Sequence, residues 1–180
     1  TITLVVPYPP GGSTDILARK LAGPLGQRLG QTVLVENKAG AGTAIGAAAV
    51  AKSAPDGYTL LISSNTTFTV NAALKNNLPY DPLKDFESIG LIGSSPLVLL
   101  AHPAVPANTV KEVLELAKRD SKGLNYGSFG VGTTAHLAGE MFKVMTGANM
   151  VHVAYRGSAP AMTDLMGGQI PLSFDISVAA

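Results

Sequence analysis

The residues best placed to do chemistry lie in two stretches of one design, VVPYPPGGSTD from Val5 to Asp15 and YGSFGVGTTAH from Tyr126 to His136. In each, a strand-like run ends in glycines and hydroxyl residues, and a helical pattern begins at once. The first four N–H groups of a helix have no internal partners, and the macrodipole adds partial positive charge there. Glycine lets an anion approach that backbone closely. Ser13, Thr14, Ser128, Thr133 and Thr134 can add hydroxyl donors. Taken singly, each stretch reads equally well as a tight turn followed by a capped helix; two of them, one in each half, favour a shared anionic ligand. Asp15 either stabilises the positive start of the first helix or faces that ligand. His136, just inside the second helix, either touches a ligand or lies on the helix surface.

Other chemistries find less support. Gly127-Ser128-Phe129-Gly130 lacks the Gly-x-Ser-x-Gly elbow, and His102, His136 and His152 have no spacing that fixes a base or a metal. His102, before Pro103, reads as structural and His152 as a strand residue. Asp164 and Asp175 have no evident partner acid. A third glycine cluster, NKAGAGTAIG from Asn37 to Gly46, resembles a dinucleotide fingerprint. Its last glycine falls one residue late, however, and the next strand ends in Ser64-Asn65 with no acid for a ribose hydroxyl. A nucleotide-dependent α/β oxidoreductase using Gly40–Gly46 is therefore the alternative reading, and no cofactor or metal is otherwise implied.

The elements that must position these groups alternate. Ile2 to Pro7 reads as a buried strand, Thr14 to Leu29 as a helix, Thr32 to Glu36 as a strand, Ala41 to Lys52 as an alanine-rich helix and Tyr58 to Ser63 as a strand. In the second half, Phe86 to Gly93 and Pro96 to Ala101 read as strands, and the Pro-punctuated AHPAVPAN as a hinge. Thr109 to Lys118 reads as a helix whose Thr109 and Glu112 form a capping box. Strand Leu124 to Gly127, helix Thr134 to Met145, strand Met150 to Ala154, helix Ala159 to Met166 and strand Ile170 to Asp175 complete the pattern. This grammar predicts an α/β fold of two lobes, 1–100 and 101–180, each with a mostly parallel sheet flanked by helices.

Only 14% of the 180 residues are charged, against roughly 25% in an ordinary domain, and 46% are hydrophobic, which excludes disorder. The net charge is +1, with no basic stripe to suggest nucleic acid or an anionic membrane. Cysteine is absent, so disulfides and thiolate metal sites are excluded. No signal peptide and no apolar run long enough to insert into a membrane is visible in the sequence.

Four segments, PYPPGGSTDILAR, NKAGAGTAIGAAAVAKSAPDGYTLL, YGSFGVGTTAHLAGEMF and VAYRGSAPAMTDLMGGQIPLSFD, together resemble the tripartite tricarboxylate transporter receptors, periplasmic solute-binding proteins of the Bug type. The resemblance implies a two-lobed periplasmic-binding-protein-like fold. It further implies a small organic acid held between the lobes without catalysis, and membrane transporter subunits as partners. It places the ligand carboxylate against Tyr8, Gly11, Gly12, Ser13 and Asp15 from the first loop. From the second come Ser128, Gly130, Gly132, Thr133, Thr134 and His136. Ser64, Asn65 and Asp175 match loops that line the cleft and vary with ligand. Receptors of this family continue beyond the position of Ala180, so the expectation is that the C-terminal part of the second lobe is missing. The apparent lack of a leader fits a processed, exported protein.

Overall fold

Five residues rich in β-branched side chains, Ile2–Val6, form β1, and the glycine corner after it releases the chain into helix α1, Ser13–Leu29. Strand β2, Val33–Asn37, and β3, Thr59–Leu61, pair with β1 on either side, both parallel, in the order β2-β1-β3. A central parallel strand must be covered on both faces, and β1 is. Leu4 and Val6 pack with Ala18 of α1 and with Ile62, while helix α2, Ala44–Ala51, brings Ala44 and Ala47 into a second cluster with Tyr80. Gly46 permits this: a Cβ there would stand 2.7 Å from the Lys38 carbonyl and 2.8 Å from the Pro7 side chain. The computed structural model describes residues 1–177. Its residues separate into two compact units, one ending at Gly93 and one beginning at Ser94, so the division falls earlier than the prolines of AHPAVPAN suggest.

The second unit holds a four-stranded sheet of order β4-β7-β5-β6. Its strands are β4, Leu97–Ala101; β5, Leu124–Ser128; β6, Met150–Ala154; and β7, Leu172–Ile176. Three helices accompany them. They are α4, Val110–Arg119, where Thr109 and Glu112 form the expected capping box; α5, Thr134–Thr146; and α6, Ser158–Met166. Tyr126, Leu172, Phe174, Met150, Val113 and Ala135 fill the core.

Three expectations need correction. Strand β4 runs antiparallel to β7, Leu97 opposite Ile176, so the second sheet is mixed. Phe86 to Gly93 is not a strand: Phe86 packs edge-on against Phe68 and Tyr80, but no strand of the first unit reaches the rest, and Ile89 and Leu91 are 83% and 88% exposed. A helical segment absent from the sequence reading follows β3: a wide π-type turn, Thr66–Val70, continues as α3, Asn71–Leu74. Tertiary bonds hold it, with Tyr80 Oη donating to the Thr67 carbonyl at 2.7 Å and Asn71 Nδ2 to the Gly42 carbonyl at 2.8 Å.

Candidate functional site

The two glycine loops are built differently. In the first, Pro9 and Pro10 carry no N–H, and the Gly11 N–H is taken by Asp15 Oδ2 at 2.9 Å. Helix α1 then starts without any side-chain cap, and within the described residues of this unit the N–H groups of Gly12, Ser13, Thr14 and Asp15 have no hydrogen-bond partner. Gly12 is extended, φ −80° and ψ 167°, a conformation open to any residue; what glycine contributes there is the absence of a side chain over the amides. Gly11, at φ 84°, is the position that needs left-handed backbone.

A buried carboxylate holds this corner in shape. Asp15 accepts from Gly11 N–H, from Arg19 Nε at 3.0 Å and, through Oδ1, from Asn37 Nδ2 at 2.9 Å; the same amide nitrogen donates to the Tyr8 carbonyl at 3.0 Å. Burial pushes the Asp15 carboxyl up, but the Arg19, Gly11 and Asn37 bonds outweigh it and hold it below the ordinary carboxylate value. With its carboxylate occupied in this way, Asp15 shapes the loop from inside. Tyr8 Oη shares a 2.7 Å bond with Ser64 Oγ, and the Thr66 N–H donates to that Oγ at 3.3 Å, which joins the first loop to the turn after β3. Asn65 is exposed beside it.

The second loop is largely satisfied from within. Ser128 Oγ lies 2.7 Å from His152 Nε2 and accepts from the Gly130 N–H at 3.2 Å. Thr133 Oγ1 donates to the Gly130 carbonyl at 2.6 Å and accepts from the His136 N–H, capping α5. The Gly132 N–H goes to His136 Nδ1 at 3.2 Å. Gly130 and Gly132 both have positive φ, 141° and 74°. Among the described residues of this unit, the groups left open at this loop and helix start include the N–H of Val131, Thr134 and Ala135 and the Thr134 hydroxyl.

Asp175, expected to line the cleft, is fully buried at the end of β7, where Oδ2 accepts from Ser158 Oγ at 2.6 Å and Oδ1 from its neighbour's N–H. Burial raises its pKa, the two hydrogen bonds opposing. The native state therefore carries a cost at neutral pH that falls away as the group protonates. Asp175→Asn keeps an acceptor for Ser158 without the charge. It is expected to melt above the parent at pH 7, with an advantage that shrinks toward pH 4; thermal unfolding at both pH values checks this.

Loop Gly40–Thr43 has the wrong polarity for a phosphate. Its carbonyls are turned to donors, Ala41 O to Lys75 Nζ at 2.6 Å and Gly42 O to Asn71 Nδ2, and Gly46 serves the close packing of α2 on Pro7. Among the described residues there is no cluster of three potential metal ligands, and no helix is long and apolar enough to cross a membrane.

Asn37, Arg19 and His152 are the residues of these networks that the sequence reading did not assign to the site. Strand register brings two of them to the site. Asn37 ends an apolar strand in register with Val6, beside the glycine corner, and His152 lies opposite Tyr126 on the strand next to β5, two residues from the register partner of Ser128.

Residues 17–179 match the family described as tripartite tricarboxylate transporter family receptor. Protein BugT of Bordetella pertussis is 42% identical over 170 residues, 94% of this chain and 52% of BugT. Among solved structures, the periplasmic binding protein BugD is 39% identical with a TM-score of 0.91, over 98% of this chain and 59% of that one. The R. palustris protein Rpa4515 with adipate is 36% identical with a TM-score of 0.95, over 99% and 60%. MatC from Rhodopseudomonas palustris with bound malate is 32% identical with a TM-score of 0.89, over 98% and 60%. The chain spans about half the length of the curated relatives it matches.

Proposed function

Because the chain belongs to the tripartite tricarboxylate transporter receptor family, we propose that it serves as the carboxylate-binding part of a periplasmic solute receptor. In this reading it captures a small organic acid, without turning it over, for the membrane subunits of such a transporter. The observation that carries the reading is the open start of α1, where four successive N–H groups meet the positive end of a seventeen-residue helix with no side chain capping them. The adipate- and malate-bound relatives support a ligand of the dicarboxylate class.

The magnitudes suffice. Charge-assisted hydrogen bonds contribute about 1.5 to 3 kcal/mol each, and micromolar affinity requires roughly 8 kcal/mol. Four amides at the start of α1 supply about 6 to 12 kcal/mol together, whose upper end reaches that after association costs of about 4 kcal/mol. No cationic side chain is needed, and the cation nearest the first loop, Arg19, is engaged by Asp15.

A thermal-shift series with C4 to C6 dicarboxylates, read by an external dye because the chain has no Trp, tests this. A ligand at 100 times its dissociation constant adds about 2.7 kcal/mol, a rise of roughly 5 to 10 °C for a chain of this size. Gly12→Val is the decisive control. The extended backbone at Gly12 accepts valine, but the residue is buried, so the variant's unfolding in urea is measured alongside, while the added methyls cover the amides and abolish the ligand-induced shift. An unchanged shift in that variant would remove the α1 start from the site. A rise with dinucleotides and none with dicarboxylates would favour the oxidoreductase alternative.

A further inference from the structure

Beneath the second loop lies a stack of aromatic rings that direct carboxylate binding does not employ. The His136 and His152 rings face each other with centroids 4.2 Å apart and 29° between planes, and Tyr126 lies 5.1 Å from His152 on the same stack. Each imidazole ends on the loop: His136 Nδ1 accepts the Gly132 N–H, and His152 Nε2 meets Ser128 Oγ, which itself accepts the Gly130 N–H. The two glycine amides are thus held, one directly and one through a hydroxyl, by two touching rings from α5 and β6.

The network assigns the protons. An acceptor at His136 Nδ1 requires that ring to be neutral, with its hydrogen on Nε2. Ser128 Oγ has two possible acceptors for its own proton, His152 Nε2 at 2.7 Å and the Gly130 carbonyl at 3.3 Å, and the carbonyl already takes the Thr133 hydroxyl at 2.6 Å. The short bond to nitrogen is the satisfied arrangement, so His152 is neutral with its hydrogen on Nδ1. A proton on His136 Nδ1 would set two donors against each other at Gly132. A proton on His152 Nε2 would turn the Ser128 hydroxyl toward the crowded Gly130 carbonyl. Two imidazoliums at stacking distance would also repel. The charged and titratable side chains facing the pair are Glu140 and Lys143 of α5 and Tyr126 of β5. The Tyr126 hydroxyl and the Lys143 ammonium both bond Glu140, at 2.7 and 3.0 Å, so that nearby anion is already shared.

We propose that His136 and His152 are positioning residues for the loop Ser128–Thr133, holding its glycine amides only while both rings are neutral, so that proton uptake by the stack reshapes the loop. The link to ligand release in acid rests on the carboxylate reading; the link between ring and loop does not. Burial, helped by the coulombic influence of His136 and Lys143 and opposed by Glu140, pushes His152 down to about 4, which keeps the loop in its observed form through neutral pH.

Long-range proton–nitrogen spectra of the 15N-labelled 180-residue chain, recorded without ligand, test this. The expected result at pH 7.5 is the Nε2–H tautomer for His136 and the Nδ1–H tautomer for His152. The Gly130 and Gly132 amides should then move together with the imidazole signals as pH is lowered from 7.5 to 4. His152→Phe keeps a ring against Tyr126 and His136 but offers no acceptor. Its Gly130 amide should exchange at least tenfold faster while that of Leu4 is unchanged, and His152→Gln, which keeps an acceptor, should recover part of the protection. Reversed tautomers, glycine amides that stay fixed while the rings titrate, or unchanged Gly130 exchange in His152→Phe would each overturn the proposal. If the phenylalanine variant does not fold, the tautomers and titration of the parent decide. Because no ligand is added, failure to bind dicarboxylates leaves these readouts intact.

Discussion

Gly139→Ala is expected to destabilise the second unit by at least about 2 kcal/mol, the upper part of the usual range for overpacking a core. A Cβ at position 139 would stand 2.2 Å from one ring carbon of Tyr126 and 2.7 Å from its hydroxyl oxygen. Alanine in mid-helix normally gains about 1 kcal/mol over glycine, so the sign of the effect depends on whether the ring can yield. It cannot yield cheaply. Tyr126 is fully buried, its hydroxyl donates to Glu140 at 2.7 Å, and His152 and Phe174 flank it at 5.1 and 5.6 Å. Urea unfolding of the variant checks the magnitude. Adding Tyr126→Leu, which withdraws the clashing ring edge, should recover part of the loss although it is destabilising alone. Simple additivity of the two changes would show that ring and glycine are not in contact. The same variant probes the imidazole stack, since a displaced Tyr126 ring shifts the surface on which His152 rests.

That contact illustrates which parts of the fold can be read from a sequence. The glycine corners and the Thr109–Glu112 capping box are local: their hydrogen bonds close within four residues, so the residue types announce them. Helix ends shift where a local rule is overridden. The alanine pattern from Ala41 reads as helix, yet α2 begins only at Ala44, because Gly40, Ala41, Gly42 and Thr43 all take positive φ and are fastened there by Asn71 and Lys75 from another element. Strand direction is not local at all. LVLLA is as good a strand antiparallel to β7 as it would be in a parallel sheet, and only its partner decides. Phe86 to Gly93 has the composition of a strand and lacks a paired neighbour in its unit.

The candidate site divides along the same line. Gly11, Gly12, Ser13, Thr133 and Thr134 are legible because a helix start is a sequence feature. The supports beneath them come from the neighbouring strand, Asn37 across from Val6 and His152 beside β5, and become visible only once pairing and register are known. Asp15, Ser128 and His136 carry the right chemical types for ligand contact, and within the loops Asp15 Oδ2, Ser128 Oγ and His136 Nδ1 accept from the amides of Gly11, Gly130 and Gly132.

The loss of Asp15 should therefore act on the first loop as a whole. Asp15→Ala removes at once the acceptor for the Gly11 N–H, for Arg19 and for one hydrogen of Asn37. Hydrogen bonds to a charged group contribute about 1.5 to 3 kcal/mol each, but the Arg19 side chain is 54% exposed and its share is screened by water. A net loss of about 2 to 4 kcal/mol follows, set mainly by the Gly11 and Asn37 bonds. Asp15→Asn should lose less, since its amide oxygen still accepts from Gly11. Dicarboxylate affinity should fall at least tenfold in the alanine variant, because Gly11 at φ 84° is no longer held and the amides of Gly12 to Thr14 lose their common aim. The pH dependence separates the two units. Asp15 has a depressed carboxyl value, so its contribution is present above the unfolded value of about 3.9 and is lost only as pH falls below it. His152, pushed down to about 4, instead costs stability as pH falls from about 6.5 to 4, where the unfolded chain takes up a proton and the folded one does not. Acid titration of the parent, followed by amide signals from each unit, should show the His152 loss in the second unit above about pH 4, offset in part by protonation of Asp175, and the Asp15 loss in the first unit only below about pH 4. In Asp15→Ala the late transition of the first unit should flatten while the early one of the second is unchanged. A first unit that keeps its full acid transition without Asp15 would mean that another carboxylate holds the corner.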